Sequence, residues 1–301
     1  MKIFMTGGSG FIGHHLAVAL LEDGHQITAA GRSGKPTALR QRRSFTFLPA
    51  DTTKPGNWQN RVAGHDIVIN LAGKSIFTYW TKKVKEQIYN SRVLTTRLLA
   101  ASLTGAGDTI FFSTSAPGYY GDRGEDVLTE DEPPGDDFLA SVCRDWEGEA
   151  LKAQTDRIRV VITRFGIVFD RNGGALASMI PAFKLFLGGR LGSGRQWFPW
   201  IHLQDLIAAY RFAIKNTEIS GPANWCAPLP VRNIELTKTL AGKLNRPVML
   251  PAPAFVLTTV LGGFGKALLC SQRTQPARLQ KAGFHFMYGD LDSALEQVLR
   301  G

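Results

Sequence analysis

The stretch MTGGSGFIG, residues 5–13, constrains this chain more than any other. It overlaps the end of a short apolar run, KIFMT (2–6), and opens FIGHHLAVALLEDG, in which Ile12, Leu16, Ala19 and Leu20 recur at helical spacing before Gly24. Gly7, Gly8, Gly10 and Gly13 satisfy both G-x-G-x-x-G and G-x-x-G-x-x-G. Between a strand and a helix such glycines have a physical task. They let the backbone turn tightly and approach a pyrophosphate, and they leave the free N–H groups of the helix start facing the phosphate charge. Gly7, Ser9, Gly10, Phe11, Ile12 and Gly13 are therefore expected to bind the phosphates of a dinucleotide.

The rest of the chain repeats the alternation. HQITAAG (25–31) reads as a second strand, and HDIVINLAG (65–73) as another, continuous enough in its apolar character to suit a strand covered on both faces. TIFFSTS (109–115) and RVVITRFGIVF (159–169) follow, with helical patterns between them at 81–107 and 138–154. Strands alternating with helices predict an α/β fold, a Rossmann-type doubly wound parallel sheet with right-handed crossovers. After residue 170 the texture turns glycine-rich and proline-punctuated, except for IHLQDLIAAYRFAIKN. Residues 1–169 and 199–223 are expected to form the NADP-binding domain, and residues 170–198 and 224–301 a smaller substrate-binding lobe.

The second strand speaks to cofactor choice. An NAD site places an acid there, about 20 residues beyond the loop, to bond the ribose 2′-hydroxyl. This chain has Gly31, Arg32 and Ser33 instead. A carboxylate would repel a 2′-phosphate, whereas a guanidinium binds one bidentately. Arg32 and Ser33, with Lys35 adding charge, predict NADP(H). Asp51 stands where an acid can meet the adenine edge, and NLAG (70–73) ends in small residues, including Gly73, that permit close approach to the adenosine side.

The formal net charge is +10. It is local: Arg32, Lys35, Arg40, Arg42 and Arg43 are bunched, and an acidic stretch from Glu125 to Asp137 opposes them. With no basic stripe interleaved with aromatics, nucleic acid is not an expected partner. Cys143, Cys226 and Cys270 give neither a disulfide framework nor a metal spacing, which suits reduced thiols in the cytoplasm. The N-terminus has no room for a signal peptide's apolar core. The most apolar segment, 247–269, is broken by Pro251, Pro253, Gly262, Gly263 and Lys266, short of a membrane span. A core helix, or one at a homodimer contact, is expected there.

In order, GGSGFIG, NLAG, FSTS and IHLQDL resemble the extended short-chain dehydrogenase/reductases of the nucleotide-sugar epimerase type. SRVLTTRLL, APGYYGD, EDEPPGDDFLASVCRDWE, LGSGRQWFPWIHLQDL and LPVRN narrow the resemblance to an atypical branch, the epimerase family protein group. SQRTQPARLQKAGFHFMYGDLDSAL resembles the C-terminal domain of unknown function in that group. The resemblance covers nearly the whole chain. It implies a Rossmann fold, NADP(H), and Leu71, Ala72, Gln87, Arg92 and Ile167 near the cofactor.

It also exposes a gap. In the wider superfamily a Ser or Thr follows the fifth strand, and a Tyr-x-x-x-Lys pair on the next helix moves the proton while hydride passes to or from the nicotinamide. Ser115 matches the serine. The pair falls in GDDFLASVCRDWEGE (135–149), on Phe138 and Val142 or on Leu139 and Cys143, and neither register supplies a phenol or an ammonium. Tyr119 and Tyr120, just beyond Ser115, are the candidate substitutes. Arg195, Gln196, Trp197 and Trp200 combine a cation with flat apolar groups, a surface for an anionic, phosphorylated or aromatic small molecule. Two readings stay open: an NADP(H)-dependent oxidoreductase or epimerase with a different proton relay, or an NADP(H)-binding protein without turnover.

Overall fold

The computed structural model describes residues 1–32, 39, 42–248 and 251–300. Ser33, Lys35 and Arg40 lie outside them. Seven strands make the main sheet: β1 (Lys2–Thr6), β2 (Gln26–Gly31), β3 (Phe45–Pro49), β4 (Ile67–Asn70), β5 (Thr109–Ser115), β7 (Ile158–Phe165) and β11 (Gly221–Trp225), in the order β11-β7-β5-β4-β1-β2-β3. Every neighbouring pair is parallel. The strand order reverses between β1 and β4. That reversal is the switch point where a doubly wound sheet opens a crevice at its C-terminal edge.

Both faces of the sheet are covered, and the alternation of side chains shows how. Ile3, Met5, Ile67, Ile69, Phe112 and Val161 point to one side, against α1 (Phe11–Glu22) and α5 (Leu203–Lys215). Phe4, Val68, Phe111, Val160 and Ile162 point to the other, against α2 (Lys82–Ser102) and α3 (Phe138–Leu151). Strands buried on both faces read as unbroken apolar runs, which is what residues 65–73 display.

Six short strands lie outside the sheet: β6 (Val127–Leu128), β8 (Ile167–Phe169), β9 (Trp197–Phe198), β10 (Trp200–His202), β12 (Val231–Arg232) and β13 (Arg273–Thr274). They pair as β8 with β10, β9 with β12 and β6 with β13. A separate apolar cluster forms where α4 (Gly174–Lys184), α6 (Asn233–Lys243) and α10 (Leu291–Arg300) meet Phe169 and Trp200.

The chain beyond residue 251 does not keep to that cluster. Leu279 of α9 (Ala277–Lys281) and Phe284 join the core under α1 and α5. Helices α7 (Ala254–Leu261) and α8 (Gly263–Leu269) reach the opposite side, where Phe264 packs on Trp80 beside Ile88 and Phe138. The apolar segment expected to be one helix is thus two, parted at Gly262, whose φ of +57° suits glycine. Among the described residues no helix is long and apolar enough to cross a membrane. His202 and Asp205 anchor the start of α5. His202 caps α5, its Nδ1 accepting from Gln204 N at 3.2 Å. Buried Asp205 accepts from Met287 N and Tyr288 N at 2.8 and 2.9 Å, so it clasps the C-terminal segment.

Helices α2 and α3 are joined by buried Glu149, which accepts from Arg97 and from Lys152 at 2.9 Å each. Burial works against its charge, but the two cations outweigh burial and hold its pKa below the ordinary 4.5. The stabilisation is therefore present above that value and is lost as pH falls through the lower folded one. Replacing Glu149→Gln is expected to cost about 1 kcal/mol at neutral pH and less in acid. Denaturant melts at pH 7 and pH 3 check this, and an equal loss at both would refute it.

Candidate functional site

At the switch point the glycine loop lies against the end of β4. Gly7 has φ +71°, and a Cβ on it would stand 2.7 Å from the carbonyl carbon and oxygen of Leu71. A Cβ on Gly13 would stand 2.3 Å from the Gly7 carbonyl oxygen. Both positions are closed to any larger residue by backbone, so the loop and the first turn of α1 are drawn together. Gly10 N donates to Gly7 O at 2.9 Å. Gly10 is also the N-cap of α1, where no side chain caps the helix and no acid sits in its first turn. The positive end of α1 is thus left for an anion. This is a cradle that fits a pyrophosphate.

The neighbouring turn, Leu71 to Gly73, is pinned from below. Fully buried Asn70 accepts from Thr6 Oγ1 at 2.6 Å and from Ala72 N at 3.3 Å, and donates to Thr96 Oγ1 at 2.7 Å. Leu71 and Ala72 are half-buried beside the glycine loop, and Gly73 is exposed. Arg92 reaches over from α2: its Nη1 donates to Lys74 O at 2.9 Å and Ile88 O at 3.2 Å, and its guanidinium lies 5.3 Å from the Trp146 ring. Burial lowers its pKa, and no carboxylate pairs with it among the described residues. Gln87 is exposed on α2, and Ile167 is half-buried on β8. The loop after β8 closes on Phe11, since a Cβ on Gly173 would overlap the Phe11 ring at 2.1 Å.

Arg32 is exposed at the end of β2. Beside it Asp51 accepts from Thr53 Oγ1 at 2.7 Å. That hydrogen bond lowers the Asp51 pKa most, and the Arg32 charge adds to the effect. No acid stands at the end of β2 itself.

The expected proton corner is filled. Ser115 is 1% exposed and donates to Glu147 Oε1 at 2.5 Å. Glu147 in turn takes a bidentate pair from Arg164, at 2.8 and 2.7 Å, with both side chains almost wholly buried. Burial works against the Arg164 charge, yet the hydrogen bonds and charge of Glu147 outweigh it and raise its pKa. Arg164 Nη1 donates to the Tyr120 hydroxyl at 2.9 Å, and that hydroxyl donates to Asn224 Oδ1 at 2.7 Å. Tyr120 is fully buried, and burial pushes its pKa up. As a proton donor to a substrate it is therefore misplaced: it is an interior strut. Tyr119 is half-buried, and its ring lies 3.5 Å from the Arg164 guanidinium. Both registers left open in GDDFLASVCRDWEGE lie on α3, on apolar side chains or a thiol. Leu139 Cβ and Cys143 Sγ lie 3.4 and 4.0 Å from where a Gly118 Cβ would be. Burial pushes the Cys143 thiol up to about 12, so it stays protonated.

Against known proteins, residues 3–224 match the NAD dependent epimerase/dehydratase family, and residues 252–298 match a domain of unknown function, DUF1731. The chain belongs to the NAD-dependent epimerase/dehydratase family. It is 40% identical to an epimerase family protein SDR39U1 homolog, chloroplastic, of Arabidopsis thaliana, spanning 100% of this chain and 87% of the relative. It is 37% identical to the epimerase family protein YfhF of Bacillus subtilis, over 99% and 98% of the two chains. The crystal structure of human epimerase family protein SDR39U1 with NADPH superposes with a TM-score of 0.87 at 30% identity, covering both chains fully. A UDP-glucuronic acid 4-epimerase of Bacillus cereus shares the fold, at a TM-score of 0.78 and 20% identity over 100% and 98% of the chains.

Within this epimerase-family fold the surface expected to take substrate divides in two. Arg195 is exposed and Trp197 half-exposed. Gln196 is buried, its Nε2 donating to Leu191 O at 3.1 Å. Trp200 is 1% exposed and stacks on Phe169 at 5.1 Å. Those two are buried and hold the turn together, in place of the open surface expected of them. Glu147 and Arg164 escaped the sequence reading. The signal was present: an arginine inside a strand covered on both faces requires a buried counter-ion.

Replacing Glu147→Gln strands the Arg164 charge in the interior and is expected to cost about 3–5 kcal/mol of stability. Glu147→Leu combined with Arg164→Met removes both charges and should cost less than the sum of the two single changes. Chemical denaturation of the set checks it, and strict additivity would show that the pair is not coupled.

Proposed function

We propose that this chain is an NADP(H)-dependent oxidoreductase or epimerase-like enzyme acting on a small molecule, with Tyr119 in place of the missing phenol. The observation that carries the reading is the contrast among three hydroxyls. Ser115 and Tyr120 are buried and committed to Glu147, Arg164 and Asn224, whereas Tyr119 is partly open and rests on a buried cation. NADP(H) rather than NAD(H) is supported by exposed Arg32 at the end of β2, by the absence of an acid there, and by the NADPH bound to the human relative. Arg92, Leu71, Ala72 and Gly73 line the cofactor's course beside the glycine loop, with Gln87 and Ile167 at its edges.

Bound in this crevice, the nicotinamide supplies or takes up a hydride. The chain's own part is to hold, orient and protonate. The start of α1 holds the phosphates, and Arg32 takes the 2′-phosphate. The Tyr119 hydroxyl gives a proton to a substrate oxygen, or takes one from it, while Arg164 beneath the ring keeps that phenol in place. A second reading, cofactor binding without turnover, draws on the lack of a phenol and an ammonium in either register of α3, where Leu139 and Cys143 pack against Gly118.

Two measurements test this. Arg32→Glu should weaken NADPH binding by tenfold or more and leave NADH within about twofold. Equal affinity of the parent protein for both cofactors would remove the 2′-phosphate argument. Tyr119→Phe should lower turnover by a factor on the order of 100 to 10,000, the usual contribution of a general acid or base. Turnover is followed by NADPH absorbance and by chromatography of sugar isomers across a carbonyl and nucleotide-sugar panel. Unchanged turnover in Tyr119→Phe would overturn the role given to Tyr119, and no turnover in the parent would overturn the enzymatic reading.

A further inference from the structure

The apolar surface that the fold leaves uncovered is not scattered. Of the fourteen large apolar side chains that stand exposed among the described residues, nine fall on three stretches of chain: Phe77 and Tyr79; residues 185–187; and Val248, Phe255, Val256 and Val260. Helix α7 is the extreme case. Its sequence, AFVLTTVL, carries no charge and none of its residues is buried, with Phe255 72% and Val260 62% exposed. At the end of α4, Leu185 and Leu187 are 69% and 75% exposed. Between them Phe186 has φ +62°, a left-handed cap that helices ordinarily give to glycine. Contacts join the three stretches into one face. Ala252 N donates to Arg190 O at 2.9 Å, and Gly192 N donates to Ala252 O at 2.8 Å. The Arg246 guanidinium lies 4.8 Å from the Phe186 ring. A Cβ on Gly262 would stand 3.1 Å from the Tyr79 ring, and Phe77 meets Phe264 edge to face at 5.4 Å.

The chain that supplies this face carries charge of one sign. Residues 67–85, 171–204 and 236–289 contain no aspartate and no glutamate. Lys82, Lys83, Lys184 and Lys266 stand exposed on them and are held in no ion pair among the described residues. An apolar patch of this extent calls for a cover. A second copy laid face to face would set these cations against one another. Apolar side chains interspersed with unpaired lysines match instead the layers of an anionic bilayer, acyl chains beneath and phosphate headgroups above. We propose that this face binds the surface of a bilayer containing anionic phospholipid, with Phe255, Val260, Leu185 and Leu187 set below the headgroups and the lysines among them. The chain rests on the membrane and does not cross it, in keeping with described helices too short or too polar to span one. Apolar burial and charge attraction act together here, so the attachment is reversible and weakens as salt rises. None of this depends on the enzymatic reading above.

Vesicle flotation tests the assignment. The parent should float with phosphatidylcholine vesicles in which a third of the lipid is phosphatidylglycerol, at least tenfold less with phosphatidylcholine alone, and much less in high salt. Phe255→Ser combined with Val260→Ser should weaken binding tenfold or more, and so should Lys184→Gln combined with Lys266→Gln, while NADPH affinity stays within twofold in both. The serine variant keeps every charge, so its loss of binding separates this face from the general attraction of a chain of net charge +10. A parent that ignores the anionic vesicles, or binds the neutral ones equally well, would overturn the proposal, as would either double variant floating like the parent. Should the serine variant fail to fold, the lysine variant decides. Sedimentation velocity without lipid addresses the other occupant: a dimer that the serine variant parts into monomers would assign the face to a second copy and overturn the bilayer reading. Loss of turnover in Tyr119→Phe leaves every one of these outcomes unaffected.

Discussion

The buried pair of Arg164 and Glu147 is the constraint on which the interior depends. Two charges withdrawn from water are tolerable only when every donor and acceptor is met. Here the fork of Arg164 takes both oxygens of Glu147, and the remaining edge takes the Tyr120 hydroxyl. Glu147 also receives Ser115, and Tyr120 passes the chain of bonds on to Asn224. One ion pair therefore fixes the ends of β5 and β7, the middle of α3 and the edge strand β11. Ser115 and Tyr120 are held in place from beneath, and their hydroxyls are taken up within this network.

This explains why loss of the Tyr-x-x-x-Lys pair does not unmake the fold. In neither register, Phe138 with Val142 or Leu139 with Cys143, does α3 supply a phenol or an ammonium; Leu139 and the protonated thiol of Cys143 pack on Gly118. The charge of this corner lies instead in the buried pair of Arg164 and Glu147. Tyr119, stacked on that pair, is the one phenol of the corner still partly open to solvent.

Much of the fold was legible in the sequence because its signals are local. The glycine spacing at 7–13 and the apolar runs of β1, β4, β5 and β7 are each contained within a dozen residues, and their physics is short-range. Gly7 and Gly13 sit where the spacing predicts, for a reason only coordinates reveal: the backbone of Leu71 and of Gly7 itself fills the space a side chain would need. Long-range pairing was not legible. Tyr120 looks like a pocket residue until Asn224, more than a hundred positions away, is seen to take its hydroxyl. Trp200 looks like a ligand platform until Phe169 is seen beneath it.

The C-terminal segment offers a different kind of lesson. Its strand β13 pairs with β6, Asn224 donates to Gln275 O, Arg278 N donates to the same Glu130 oxygen that Asn224 N uses, and Asp205 holds Met287 and Tyr288. Each bond satisfies a group that belongs to the matched epimerase region, residues 3–224. Cut at the family boundary, that region would be left with bare acceptors in its own interior. The border between the two named domains is thus a border of sequence kinship alone. In folding, and in any inheritance of the two parts, they form a single unit, and neither could be exchanged for a foreign module without re-solving the hydrogen bonding of the other.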